Sequence, residues 1–118
     1  MVLNFSVEES QWQQIPVLHV RGDLDVYTCP DLRKALESVT ESGASTLALN
    51  LEDIHYLDST GLGTIAHFAK RLAEKNGAIS IISSKPQVEK VLSISGLTKR
   101  NIQLFKHETD FQNAHAKL

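Results

Sequence analysis

Four times along this chain, a short apolar run rich in branched residues gives way to a segment whose apolar residues return every three or four positions. That alternation constrains the fold more than any other feature. Strand–helix–strand units close through crossovers, so the strands they join are mainly parallel and the connections right-handed. The apolar runs fall at residues 15–21, 47–51, 78–83 and 102–105, and each is followed by a helical pattern. Residues 5–9 add a short strand before them, across a polar turn, expected antiparallel and at a sheet edge. The architecture this predicts is α/β: a mixed sheet of four to five strands with about four helices, in a single domain spanning residues 1–118.

The ends of the helices carry their own signals. Thr28 is a candidate cap for the first, Pro30 is tolerated in its first turn, and Asp31 suits the positive end of the dipole. Leu32, Ala35, Leu36 and Val39 form its apolar stripe, and Gly43 sits just past its end. In the second helix, Leu62, Ile65, Ala66, Ala69, Leu72 and Ala73 share a face, and Asn76-Gly77 stops it. His67 and Phe68 lie off that face, so Phe68 either packs against a neighbouring element or meets a partner. Ser84-Lys85-Pro86-Gln87 has capping-box spacing before Val88, Val91 and Leu92, and Gly96 closes that third helix. Phe111, Ala114 and Leu118 mark the inner face of a terminal helix. Gly22-Asp23 is expected to break the second strand, and Glu52-Asp53 to form a turn before Ile54-His55-Tyr56-Leu57.

Composition removes several classes of function. With 12 basic and 14 acidic residues the net charge is −2, and Lys99-Arg100 is too small a cluster for the footprint of a nucleic-acid binder. Cys29 is the only cysteine, which excludes an intramolecular disulfide and points to a reducing cytoplasm. Although it lies near a helix N-terminus, a half-buried structural thiol is the expectation. The first residues lack the basic and apolar regions of a signal peptide. No apolar run approaches the roughly 20 residues that a membrane helix requires, so a soluble, cytoplasmic chain is expected. The five histidines, His19, His55, His67, His107 and His115, show no metal-ligand spacing, and neither a metal nor a cofactor is expected.

One segment concentrates chemistry. Asp58-Ser59-Thr60-Gly61-Leu62-Gly63 falls between a strand and a helix, where free backbone N–H groups gather and the dipole is positive. Asp58 or Ser59 would cap the helix, and Gly61 and Gly63 would leave a slim backbone for a partner or phosphate to approach. A phosphate on Ser59 would meet donors there at little cost to the fold, adding roughly −1.5 to −2 of charge at one surface point. The plainer alternative is a capped helix start with glycines for turning. Leu57 and Leu62 bracket the small and polar residues, which predicts an accessible Ser59.

Two other motifs fail on context. Gly61-Leu62-Gly63-Thr64-Ile65-Ala66 matches a dinucleotide fingerprint by letter, but the strand before it is expected to end near Leu51 and no acidic ribose ligand follows at the right distance. A hydrolase elbow needs glycines flanking the serine at two positions, whereas Ser59 stands between Asp58 and Thr60. No catalytic residue is assigned.

The sequence resembles the STAS domain family of bacterial anti-sigma factor antagonists over almost its whole length. Three segments carry the likeness: Leu49-Asn50-Leu51 through Tyr56-Leu57-Asp58-Ser59-Thr60-Gly61-Leu62-Gly63; Gly22-Asp23-Leu24-Asp25 with Pro30, Leu32 and Leu36; and Leu92-Ser93-Ile94-Ser95-Gly96-Leu97. The resemblance implies a STAS fold without enzymatic activity, with Ser59 as phosphoacceptor and Thr60 as the lesser hydroxyl. It implies that Asp25 lies near the acceptor, with Asp58 orienting Ser59 or capping the helix. Asp23 could be a turn residue only. The implied partners are an anti-sigma factor that is also a serine kinase and a metal-dependent serine phosphatase. Unphosphorylated antagonist holds the kinase and frees the sigma factor; phosphorylation ends that binding.

Two further readings share the fold. STAS-like domains also serve as soluble accessory subunits of lipid or anion transport systems, where no phosphoacceptor is needed. The glycine-flanked helix start would also suit a nucleotide- or anion-binding regulatory module. A monomer is expected, since no long apolar stripe is left over.

Overall fold

The computed structural model describes residues 5–116, and it opens with a hairpin. Strands β1 (Ser6–Trp12) and β2 (Ile15–Leu24) pair antiparallel around Gln13-Gln14, with Trp12 opposite Ile15. Both turn residues take positive φ, 48° and 72°. Two-residue hairpins favour that hand of turn because it matches the twist of the strands.

From β2 onward each strand is followed by a helix and pairs parallel with the next strand. The chain runs α1 (Cys29–Glu41), β3 (Thr46–Leu57), α2 (Ser59–Ala73), β4 (Ala78–Ile82), α3 (Pro86–Ser95), a short 3-10 turn at Leu97–Lys99, β5 (Ile102–Phe105) and α4 (Glu108–His115). Among the described residues the sheet order is β1-β2-β3-β4-β5, with only the β1–β2 pair antiparallel. The expected mixed sheet with an antiparallel edge strand is therefore present.

Alternating side chains divide the interior in two. Leu18 and Val20 of β2, Leu47, Leu49 and Leu51 of β3, and Ile79 and Ile81 of β4 meet Leu32 and Leu36 of α1, Ile65, Phe68 and Leu72 of α2, and Val88 and Leu92 of α3. Three helices thus cover one face. On the other face Val17, Ala48 and Ile82 pack with Phe111 of α4, flanked by Trp12, Ile15 and Phe105.

The strands run further than the sequence pattern indicates. β2 continues through Gly22-Asp23 to Leu24, because Gly22 takes φ 99° and the ladder absorbs the irregularity. β3 continues through Glu52-Asp53, where a turn was expected. Against β2 it carries one extra residue between Asn50 and Asp53 and another between Ile54 and Tyr56. Each bulge inverts the inside–outside alternation, which is how Leu51 and Ile54, three positions apart, both face the helical core.

Several helix details also differ. Thr28 precedes α1, but its hydroxyl donates to the Asp23 carbonyl at 2.6 Å and makes no cap bond. No capping box opens α3. Lys85 is the cap residue, Ser84 donates its hydroxyl to Glu52 at 3.1 Å, and Gln87 reaches the carbonyl of His55. Phe68 is fully buried, which settles it as a core residue, whereas Ala73 and Ala114 are exposed. Leu118 lies outside the described residues.

Candidate functional site

The two central strands end side by side, with Leu24 of β2 paired to Leu57 of β3. The Asp58 N–H then donates to the Leu24 carbonyl at 3.3 Å, tying the start of the next helix to the end of β2. Asp58 is extended, with φ −107° and ψ −175°, and one carboxylate oxygen accepts from the N–H groups of Thr60 at 2.9 Å and Gly61 at 3.0 Å. The Leu62 N–H bonds the Asp58 carbonyl at 3.0 Å. Asp58 is thus the cap of α2, and Ser59 is the first helical residue, exposed and outside the capping bonds.

This arrangement corrects one expectation about the helix start. The N–H groups of Thr60 and Gly61 are not free for a phosphate, because the Asp58 carboxylate already occupies them. The glycines also differ in purpose. A Cβ on Gly61 would stand 2.8 Å from Leu24 Cγ and 2.9 Å from Leu57 Cδ1, so its missing side chain is filled by the chain's own leucines. A Cβ on Gly63 would meet nothing within 4 Å. Only Gly63 leaves its backbone slim towards the outside. Leu62 is half-buried against the main core, and Thr60 is exposed.

The loop from β2 to α1 stands beside this helix start. Asp25 builds it: one carboxylate oxygen accepts from the N–H of Tyr27 at 2.9 Å and of Thr28 at 3.1 Å. The Asp25 N–H in turn donates to Thr28 Oγ1 at 3.0 Å. Asp25 is the turn residue, and Asp23 belongs to the strand, paired with Tyr56.

Behind the loop, Cys29 is buried near Thr64, whose hydroxyl donates to the Thr60 carbonyl at 3.0 Å. Burial pushes the Cys29 thiol above its ordinary pKa. The polar Thr64 side chain opposes the shift, the nearby Asp58 and Asp25 carboxylates add to it, and Arg33 offsets part of it. The thiol therefore stays protonated at neutral pH, as befits a structural cysteine. Among the described residues no cluster of histidine, cysteine and carboxylates could hold a metal ion.

Sequence reasoning missed the exposed apolar residues on the segments that lead into α1 and α2. Val26 and Tyr27, in the loop that Asp25 holds, are 58% and 86% exposed, and Tyr56 near the end of β3 is 52% exposed. The signal available was a valine–tyrosine pair between Asp25 and Thr28, in a stretch belonging to neither apolar periodicity.

Residues 7–111 match the STAS domain family model. The chain belongs to the STAS domain family. It is 30% identical to the anti-sigma-B factor antagonist of Staphylococcus aureus over 95 residues, covering 80% of this chain and 88% of that one. Among solved structures, an anti-sigma factor antagonist from Mycobacterium paratuberculosis superposes with a TM-score of 0.86 at 22% identity, over 97% of this chain and 96% of that one. The anti-sigma factor antagonist SpoIIAA in its unphosphorylated form gives 0.76 at 22% identity, over 98% and 99% of the two chains. At such identities the solved structures establish the shared fold.

Proposed function

We propose that this chain is an anti-sigma factor antagonist that acts as a phosphoswitch at Ser59. Unphosphorylated, it binds an anti-sigma factor with serine kinase activity and so releases the sigma factor. Phosphorylation of Ser59 ends that binding, and a metal-dependent serine phosphatase restores it. The chain is a regulator without catalysis of its own, working in the cytoplasm. The observation that carries the reading is an exposed serine at the first position of α2, outside the bonds of the Asp58 cap, in a chain of this family.

The local electrostatics support this reading. A phosphate on Ser59 appears next to a carboxylate that has already taken two of the helix's free N–H groups. The dianion must therefore look outward for partners. In a desolvated interface, an uncompensated dianion costs several kcal/mol, enough to dissolve a complex. The fold itself is spared, since Ser59 is exposed and supports no buried contact.

The test is intact-mass spectrometry with site mapping after incubation with ATP and each purified anti-sigma kinase of the source organism. One phosphate on Ser59, lost in Ser59→Ala, is the expected result. Failure of every kinase to modify the chain overturns the switch and leaves the transport-accessory role as the reading to pursue.

A further inference from the structure

Among the described residues four large hydrophobic side chains are exposed: Val26, Tyr27, Tyr56 and Ile94. Isolated exposed hydrophobes need no explanation. Three of these, however, lie on the two segments that are tied together where β2 and β3 finish. Tyr56 is paired with Asp23, and Val26 and Tyr27 follow Leu24, whose carbonyl accepts from Asp58.

Nor is their exposure the result of a loose loop. Asp25 fixes the N–H groups of Tyr27 and Thr28, Thr28 ties back to the carbonyl of Asp23, and the Cys29 N–H bonds the Asp25 carbonyl at 2.9 Å. A braced turn that presents a phenol ring to solvent has lost its backbone entropy in advance. Such pre-organised aromatic side chains are the usual anchors of protein interfaces. Asp23, Asp25 and Asp58 belong to the same two segments, and the ion pairs formed among the described residues, those of His19, Arg21, Glu8 and Asp53, involve none of the three.

We infer that Tyr27, supported by Val26 and Tyr56, is the affinity and specificity anchor for the anti-sigma kinase that modifies Ser59. The matching surface on that kinase is an apolar pocket rimmed by arginine or lysine, complementary to the three aspartates. This rests on the reading of Ser59 as the acceptor, and it adds the residue by which one anti-sigma factor is chosen over another. Tyrosine fits the role because its ring fills a pocket while its hydroxyl stays solvated or meets a polar rim.

The experiment is titration calorimetry of the full chain against the ADP-loaded kinase identified by Ser59 phosphorylation. Wild type is compared with Tyr27→Ala, Tyr27→Phe, Val26→Ser and, as a control on a different element, Ile94→Ser in α3. Tyr27→Ala is expected to weaken binding by roughly 30-fold, the scale of a hot-spot side chain, while Ile94→Ser binds as wild type. Tyr27→Phe, which keeps the ring, is expected to lose far less than Tyr27→Ala. Because the side chain is so exposed, thermal melting of Tyr27→Ala should match wild type, which separates lost contact from lost fold.

Undiminished affinity in Tyr27→Ala, with Ser59 still phosphorylated, overturns the anchor and leaves the switch standing. A wild-type dimer that dissociates in Tyr27→Ala by light scattering assigns the patch to a second copy of the chain and also overturns the inference. If no kinase modifies Ser59, switch and anchor fall together.

Discussion

The carboxylate of Asp58 holds the backbone N–H of Gly61 at 3.0 Å, and the same oxygen takes the N–H of Thr60. Replacing Asp58 with alanine removes both bonds and leaves the first turn of α2 uncapped. The expected loss is about 1 kcal/mol of folding stability, read as a lowered midpoint in urea with an unchanged slope. Asp58→Asn keeps an acceptor in place and should recover most of that loss. Equal stability of Asp58→Ala and wild type would contradict the capping role.

The two glycines of the segment should respond to alanine with opposite signs. Gly61→Ala drives a methyl group into Leu24 and Leu57, and overpacking of this kind costs roughly 1–3 kcal/mol. Gly63 lies inside α2 with open space beside it. Alanine there gains helix propensity, up to about 1 kcal/mol. Thermal melts of the two variants measure both effects. A stabilised Gly63→Ala that binds the kinase more weakly would show that the bare backbone serves the interface.

Cys29 gives the protein a distinctive response to alkali. Its folded pKa is raised, chiefly by burial, so the folded state retains the proton while the unfolded thiol begins to ionise near pH ~8.5. The contribution to stability is complete below that pH and is lost as pH climbs towards the folded value. Melting temperature should therefore fall more steeply above pH ~8.5 in wild type than in Cys29→Ala. Parallel curves for the two proteins would refute it. In the native state, thiol reagents at neutral pH should react slowly and accelerate on unfolding.

The hairpin between β1 and β2 offers a stabilising change. Gln13 and Gln14 both hold positive φ, a backbone state that costs an ordinary side chain roughly 1–2 kcal/mol. Replacing the pair with Asn-Gly, the residues this turn favours, should raise the melting temperature. A drop would mean that the glutamine side chains contribute contacts of their own.

Much of this fold was legible in the sequence, for a definite reason. Parallel strands buried on both faces and helices buried on one leave different apolar periods, so the elements and the edge strand were readable. The extent of β3 was not. Its two extra residues each reverse the alternation, and Glu52-Asp53 at the first reversal has the composition of a turn. Phe68 was misplaced because the buried face of α2 includes Gly61 and Thr64, which carry little apolar signal. That left Leu62, Ala66 and Ala73 to suggest a stripe rotated by about one residue. At the site, the sequence left the cap open between Asp58 and Ser59, since both residue types accept from a helix start. Tyr27 belongs to no periodic pattern, and only its exposure in the folded chain sets it apart.

Strand order that follows chain order has a consequence for how this protein is made. Each new strand adds to the open edge left by the one before, and none must be threaded between two already in place. Asp23, Asp25, Tyr27, Tyr56, Asp58 and Ser59 all lie in the stretch from β2 to α2. A growing chain has therefore synthesised every residue of the candidate site before β4 begins, and the remaining strands and helices act as a buttress laid afterwards. A domain folds as a unit, so in this chain the surface offered to a partner is written first and takes its shape only when its foundation is complete.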